Sequence, residues 1–310
     1  MNRQVTQMAQ SIQQRTSKTF ITSETIHTGA ERPDHYDRSK AAIEDKINFT
    51  RSTLAATLVE LRKKKVRINQ RKGQINQKGL HKVLIRSPKL FKTQQRGREI
   101  SAAVQLVVDL SGSMMGEKSE LATQVAILFS EVLDALHIDF EVIGFRTGGG
   151  GRNGNSVSVS QMTEREREHI RKNYSGGVEE GIQHWVFKEF DQNFSACRGQ
   201  MGGLITAPGG CNLDHHTILW GAQRLFVRSH ERKLQIVITD GLPCGQNGDT
   251  KLRDANEKVV ASGIEQFCFG ICCHGVENFY RNRKVIFSLE QLNTEALRVL
   301  GTYLYGGGIR

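Results

Sequence analysis

From residue 101 onward the chain alternates between two periodicities. An apolar run over 102–108 ends in Val107 and Val108 and precedes Asp109, and after a short turn Leu121, Val125, Leu128, Val132 and Leu136 recur at three- and four-residue intervals. The first pattern predicts a strand buried on both faces and the second an amphipathic helix. The same alternation predicts strands at 138–145, 234–239, 264–271 and 285–287. Helices are predicted near 164–172, 178–190, 215–228 and 252–261, with a last one after a capping box made by Ser288 and Gln291. Apolar strands separated by amphipathic helices predict an α/β fold, a mostly parallel central sheet with helices on both faces.

Upstream the pattern changes. Residues 1–38 are polar, are broken at Arg32-Pro33-Asp34 and hold no period, which predicts a flexible or partner-ordered arm. Between 39 and 65, Ile43, Ile47, Leu54, Leu58 and Leu61 fall at helical spacing and predict one long amphipathic helix. Residues 39–100 thus read as a helical, basic lead-in to a domain at 101–310.

Charge sharpens that division. The net charge is +11, yet residues 1–100 hold 22 basic and 8 acidic side chains, while 101–310 hold 21 and 24. Within 62–98 there are 14 Lys or Arg and no Asp or Glu. A helix macrodipole favours basic residues in its last turn only, so the rest of this run needs another explanation. Arg62, Lys63, Lys64, Lys65, Arg67, Arg71 and Lys72 are candidate contacts for nucleic-acid phosphates or an acidic protein surface. Phe91 is the one aromatic in the stretch, so any nucleic-acid binding is expected to tolerate sequence.

With 38% hydrophobic and 24% charged residues the composition is that of a soluble globular chain. Apolar runs fall far short of the roughly 20 residues that span a bilayer, and the polar opening lacks a signal-peptide core. A cytoplasmic protein without membrane association is the expectation. The six cysteines lack CxxC spacing and read as reduced structural thiols, with a zinc site including His274 as the alternative.

Ligands of parallel sheets gather at the carboxyl ends of strands, and two predicted strands end in aspartate. The first gives Asp109-Leu110-Ser111-Gly112-Ser113 and the later one Thr239-Asp240-Gly241. A carboxylate and two hydroxyls alternating on one tight turn suit a hard divalent cation such as Mg2+, which takes oxygen ligands. Helix capping by Asp109 and Ser111, and an ordinary Asp-Gly turn, are the competing readings. Asp214, just before a predicted helix, reads either as an N-cap or as a third carboxylate for the same ion. His215 and His216 are neighbours at a helix start and read as structural or partner-facing. Ser111, His215 and Asp240 can be drawn as a hydrolase triad, but the chain has no GxSxG, HExxH or GxxxxGK[ST] motif. The glycine run 148–151 lacks the lysine and helix of a phosphate loop and reads as a partner loop.

DLSGSMMG after a buried strand, followed by ITDG, resembles the metal-ion-dependent adhesion site of von Willebrand factor A domains, a Rossmann-like fold. NLDHHTILWGAQRLFVRSHERKLQIVITDGLP and FGICCHGVENFYRNRKVIFSLEQLNTEALRVL resemble the C-terminal half of the cobaltochelatase CobT subunit, and the similarity extends upstream to about residue 45. The resemblance implies an aspartate from the site's third loop, so Asp214 joins Asp109, Ser111, Ser113 and Asp240, with Thr217 as the substitute. It further implies a noncatalytic subunit that docks through Mg2+ to a ring-forming AAA+ ATPase of the MoxR or CobS type, which acts on a larger chelatase subunit. Relatives carry a long acidic segment ahead of the A domain, where this chain is short and basic. An adaptor for a MoxR-type ATPase on a non-corrin target, a protein or nucleic-acid complex, is therefore the alternative.

Overall fold

Strand β5 (Ala102–Asp109) is buried at all eight positions and forms the centre of the fold. In this computed structural model the described residues are 23–27, 32–62, 65–72, 74–77, 91–95, 101–147, 163–165, 167–168, 181–241, 243–245 and 247–305. They fall into two compact units, residues 1–51 with 101–310, and residues 52–100.

The larger unit is built on seven strands: β1 (Ser23–His27), β5, β6 (Asp139–Thr147), β7 (Ile182–Lys188), β8 (Arg232–Thr239), β9 (Glu265–Ile271) and β10 (Arg283–Ile286). Their order is β1-β7-β6-β5-β8-β9-β10. Every pairing is parallel except that of β6 with β7. Helices α3 (Glu117–Ala135), α4 (Phe194–Met201), α5 (Asp214–Phe226), α6 (Gly248–Ala261) and α7 (Leu289–Tyr305) connect and flank the strands. Helices α5 and α6 pack on one face, where Ala103, Val107, Ile143, Ile218, Leu225, Val237 and Leu252 share a buried cluster. Helix α3 packs across β5, β6 and β9, with Val125, Leu128 and Val132 fully buried. The expected α/β architecture is present, with helices on both sheet faces.

Strand order reverses between β5 and β8: β6 and β7 lie on one side of β5, and β8, β9 and β10 on the other. In sheets of this kind ligands gather at such a switch point, at the strands' carboxyl ends. Asp109 closes β5 there, and Asp240 follows β8.

Four polar residues cross this sheet at one level. Glu141, Gln105 and Gln235 are fully buried and Gln266 nearly so, and their registers place them opposite one another on β6, β5, β8 and β9. Gln105 Nε2 donates to Glu141 Oε2 at 2.8 Å, Gln235 Nε2 to Gln105 Oε1 at 3.0 Å, and Gln266 Nε2 to Gln235 Oε1 at 3.0 Å. Arg224 of α5 closes the row as an ion pair to Glu141. Buried polar atoms are tolerated here because each finds a partner.

Several expectations need correction. The helix expected at 178–190 is in part strand β7. Ile182, Val186 and Phe190 fall at four-residue spacing, but Ile182, His184, Val186 and Lys188 also form one alternating face, and pairing with β6 decides for the strand. The single helix expected over 39–65 is two, α1 (Pro33–Ala41) and α2 (Glu44–Arg62). Pro33 stands at the first helical turn of α1, where its missing N–H costs nothing. The stretch read as an arm supplies β1 and most of α1. In place of a Ser288–Gln291 capping box, Gln291 Oε1 accepts from the N–H of Phe287 at 3.0 Å, one residue earlier. The helix expected at 164–172 and the loop at 148–151 lie largely or wholly outside the described residues.

The smaller unit contains a three-stranded sheet in the order β2-β4-β3, from β2 (Lys65–Gln70), β3 (Gln74–Ile75) and β4 (Phe91–Gln95), with both pairings antiparallel. The basic lead-in is thus part helix and part strand. No helix among the described residues is long and apolar enough to cross a membrane.

Candidate metal centre

The turn after β5 is fixed by its own backbone and by the loop that precedes α5. Leu110 N donates to Phe145 O at 2.8 Å, Gly112 N to Gly210 O at 2.8 Å, and Gly209 N to Leu110 O at 2.8 Å. Gly210 has φ +68°, and a Cβ there would stand 2.3 Å from Thr147 O, so only glycine allows this approach. Thr147 also ties down Cys211 through two hydrogen bonds, Thr147 N to Cys211 O at 2.7 Å and Cys211 N to Thr147 Oγ1 at 2.8 Å. The loop carrying Asp214 is therefore stitched to the loop carrying Asp109 and Ser111.

Asp109 is buried and well held. Its Oδ1 accepts from Ser111 N at 2.8 Å; its Oδ2 accepts from Thr239 Oγ1 at 2.8 Å and from Asn212 Nδ2 at 3.3 Å. Burial nevertheless pushes its carboxyl up to about 6, with Asp240 adding to the rise and the bonds from Ser111 and Thr239 opposing it. Ser111 Oγ and Ser113 Oγ lie 3.0 Å apart, the former buried and the latter exposed. The pair forms one hydroxyl edge beside the carboxylate.

Asp214 is the first residue of α5 and is fully buried. Neither of its carboxylate oxygens makes a close hydrogen bond, and the Asn212 amide, bonded to Asp109 at 3.3 Å, is a side-chain donor within its reach. Burial raises its carboxyl well above the usual range, Asp109 and Asp240 raise it further, and nearby Asn212 draws it back. The N-cap reading is excluded, because Leu213 occupies that position and no side chain caps the helix. Capping by Asp109 or Ser111 is excluded likewise: Ser111 stands at the N-cap of a 3-10 turn, Gly112–Met114, without a side-chain cap, and α3 starts only after Gly116. Thr217, one turn along α5, is buried with its hydroxyl unpartnered.

Asp240 completes the set. Its Oδ2 accepts from Lys118 Nζ at 2.9 Å, while its Oδ1 is buried and unpartnered. The five residues expected to hold a cation therefore stand on three adjoining loops at the sheet's switch point. Three buried carboxylates with three oxygens that make no close hydrogen bond are the chemistry of an oxygen-ligated cation site. No three His, Cys, Asp or Glu side chains among the described residues converge closely enough to enclose an ion as they stand.

The triad drawn from Ser111, His215 and Asp240 is not assembled. Ser111 Oγ pairs with Ser113 and Asp240 with Lys118, while the His215 ring lies against His216 with centroids 4.8 Å apart. All six cysteines are free thiols, and Cys197 and Cys268 are buried. His274 Nδ1 pairs with Glu277 Oε1 at 2.8 Å. Of the basic candidates, Arg62 ends α2, Lys65 and Arg67 lie in β2, and Arg71 and Lys72 are exposed in the following turn. Lys63 and Lys64 fall outside the described residues.

Three residues of the centre escaped the sequence reading: Thr239 and Asn212, which hold Asp109, and Lys118. The signal for Thr239 was its place beside Asp240. The signal for Lys118 was a basic residue in the first turn of a helix, where acidic ones are favoured.

The family described as the Cobalamin biosynthesis protein CobT VWA domain matches residues 90–304. The uncharacterised protein YojO of Bacillus subtilis (strain 168) is 26% identical over 237 residues, 74% of this chain and 33% of that protein. The chain thus spans about a third of that relative's length. Among solved structures, the open conformation of the pilus adhesin SpaC from Lactobacillus rhamnosus GG is similar with TM-score 0.46 and 14% identity, over 66% of this chain and 30% of the adhesin. A von Willebrand factor type A protein from Catenulispora acidiphila is similar with TM-score 0.37 and 13% identity, over 69% of this chain and 45% of that one.

Proposed function

The chain belongs to the CobT VWA domain family, and on that premise we propose that it is a noncatalytic, metal-dependent docking subunit of a cobaltochelatase-like assembly. Asp109, Ser111, Ser113, Asp214 and Asp240 would hold Mg2+ or another divalent cation. The observation that carries this reading is Asp214, a fully buried carboxylate with neither oxygen in a close hydrogen bond, beside two further carboxylates. An arrangement so costly to bury is retained where a cation compensates it.

When bound, the cation supplies a positive centre to which an acidic side chain of a partner can attach. The chain's own residues prepare that contact. Thr239 and Asn212 orient Asp109, the Gly209-Gly210 turn holds the serine loop against the Asp214 loop, and Met115, 61% exposed, offers an apolar contact beside Ser113. The partner proposed is a ring-forming AAA+ ATPase of the MoxR type. ATP hydrolysis would belong to that partner, and remodelling would pass to a larger chelatase subunit.

The basic unit favours a second target for the same pairing. Fourteen Lys or Arg over 62–98 without one acidic residue suit an acidic protein or nucleic acid better than a corrin. In that reading the chain is an adaptor for remodelling a non-corrin complex, with the cation site unchanged in role.

The test is co-purification of the full chain with a MoxR-type ATPase, with and without Mg2+, for wild type and Asp109→Ala. Association that needs both Mg2+ and Asp109 is the expected result. Equal binding by the two proteins in the presence of Mg2+, or wild-type binding unchanged by removal of Mg2+, would remove the docking role.

A further inference from the structure

Lys118 is the second residue of α3, between Glu117 and Glu120 in the helix's first turn. A cation at a helix N-terminus opposes the macrodipole, so the local chain gives no reason for lysine there. Its ammonium is instead aimed out of the helix at another element: Nζ lies 2.9 Å from Asp240 Oδ2, with the lysine side chain 31% exposed and the aspartate side chain 2% exposed. The contact joins residues 122 positions apart.

We infer that Lys118 sets the net charge of the cation site, opposing capture of a divalent ion and favouring the later arrival of a partner's carboxylate. The inference rests on reading Asp109, Asp214 and Asp240 as holding a divalent cation. Three carboxylates and a divalent ion leave one negative charge, which would repel an acidic side chain. One ammonium fixed on Asp240 brings the sum to zero. The same ammonium competes for Asp240 before the ion arrives. Lys118 therefore acts with opposite sign on the two binding steps, and that distinguishes it from an ion pair that merely staples α3 to the loop after β8. A staple, once cut, would loosen the site and weaken both steps together.

The experiment compares wild type, Lys118→Met, Lys118→Gln and Lys118→Arg in the full chain. Mn2+ binding is followed by electron paramagnetic resonance. Acetate is then titrated into the Mn2+-loaded protein and loss of metal-bound water is read by water-proton relaxation. Both neutral variants are expected to bind Mn2+ about tenfold more tightly and acetate about tenfold more weakly, the scale of one removed charge a few ångströms away in a partly solvated site. Lys118→Arg keeps the charge and is expected to follow wild type. Unchanged or weakened Mn2+ binding in both neutral variants, with wild type binding normally, would overturn the role of Lys118 alone. A wild type that binds no Mn2+ would overturn the cation site and this inference with it.

Discussion

Gln105 Nε2 donates to the main-chain carbonyl of Gly221 at 2.9 Å, fixing helix α5 against the central strand of the sheet. Gln235 does the same to Ile218 O at 3.0 Å. Two side chains of a buried polar row thus grip two turns of the helix whose first residue is Asp214. The position of the third carboxylate is set by hydrogen bonds well inside the core.

Gly221→Ala tests this grip. The added Cβ would stand 2.6 Å from Gln105 Oε1 and 3.0 Å from Ile143 Cδ1. Gln105 Oε1 is held by Gln235 and cannot swing away. Overpacking costs about 1–3 kcal/mol, and alanine regains about 1 kcal/mol of helix propensity. Urea denaturation is expected to show a net loss of up to about 2 kcal/mol, accompanied by weaker Mg2+ binding in calorimetry.

Asp214→Asn is expected to stabilise the metal-free protein at pH 7 while abolishing its response to Mg2+. Burial, reinforced by Asp109 and Asp240, raises the Asp214 carboxyl. Such a group contributes stability that is present below its unfolded pKa and lost as pH rises through the folded one. Asparagine carries no charge to lose. The variant should exceed wild type by about 1–3 kcal/mol at pH 7, the scale of an unsatisfied buried polar group, and match it near pH 4. Denaturation curves at the two pH values, with and without Mg2+, give the answer. A variant less stable than wild type at pH 7 without metal would contradict it.

His184 provides a pH test remote from the carboxylates. It is 2% exposed, stacks on Trp220 with ring centroids 4.2 Å apart, and neither ring nitrogen has a hydrogen-bond partner. Burial, with His216 and Arg224 facing it, depresses its imidazole to about 3. A depressed histidine contributes stability that is present above its unfolded pKa and lost as pH falls toward the folded one. That window is about 6.5 down to about 3. His184→Phe keeps the stack and removes the titration. Its stability should fall less steeply between pH 6 and 4, by about 1.4 kcal/mol per pH unit, while His215 and His216, also depressed, continue to titrate.

The basic unit can be assigned by salt dependence. Arg71 and Lys72 are exposed, and a nucleic-acid partner would release about 0.9 counterion for each phosphate they neutralise. Arg71→Glu with Lys72→Glu is expected to flatten the salt slope of DNA or RNA binding by about 2. Binding no tighter than about micromolar even at low salt would leave an acidic protein as the partner of this unit.

How much was legible beforehand depended on range. Strand β5 was readable because every position is apolar or buried polar and Asp109 ends it; α3 and α5 were readable because their buried faces repeat at helical spacing. β7 was not legible as a strand because Ile182 and Val186 within it and Phe190 just beyond it fall at a spacing that also fits a helix. Gln105, Gln235 and Gln266 gave no sign at all. A glutamine in an apolar run looks like a defect until the neighbouring strands supply its partners.

By itself, the sequence determined the alternation of strands and helices, the concentration of positive charge ahead of residue 101, and the oxygen-bearing turns at Asp109 and Asp240. These are local properties, carried by periodicity and by residues a few positions apart. The tertiary structure alone decided that strand order reverses between β5 and β8, so that carboxylates 105 and 26 residues from Asp214 in sequence come near enough to raise it. It alone placed Lys118 on Asp240 and left both oxygens of Asp214 without a close hydrogen bond. The reason is physical: whether a carboxylate is a cap, half of an ion pair or an unmet charge depends on which groups surround it in space, and chain neighbours supply few of those.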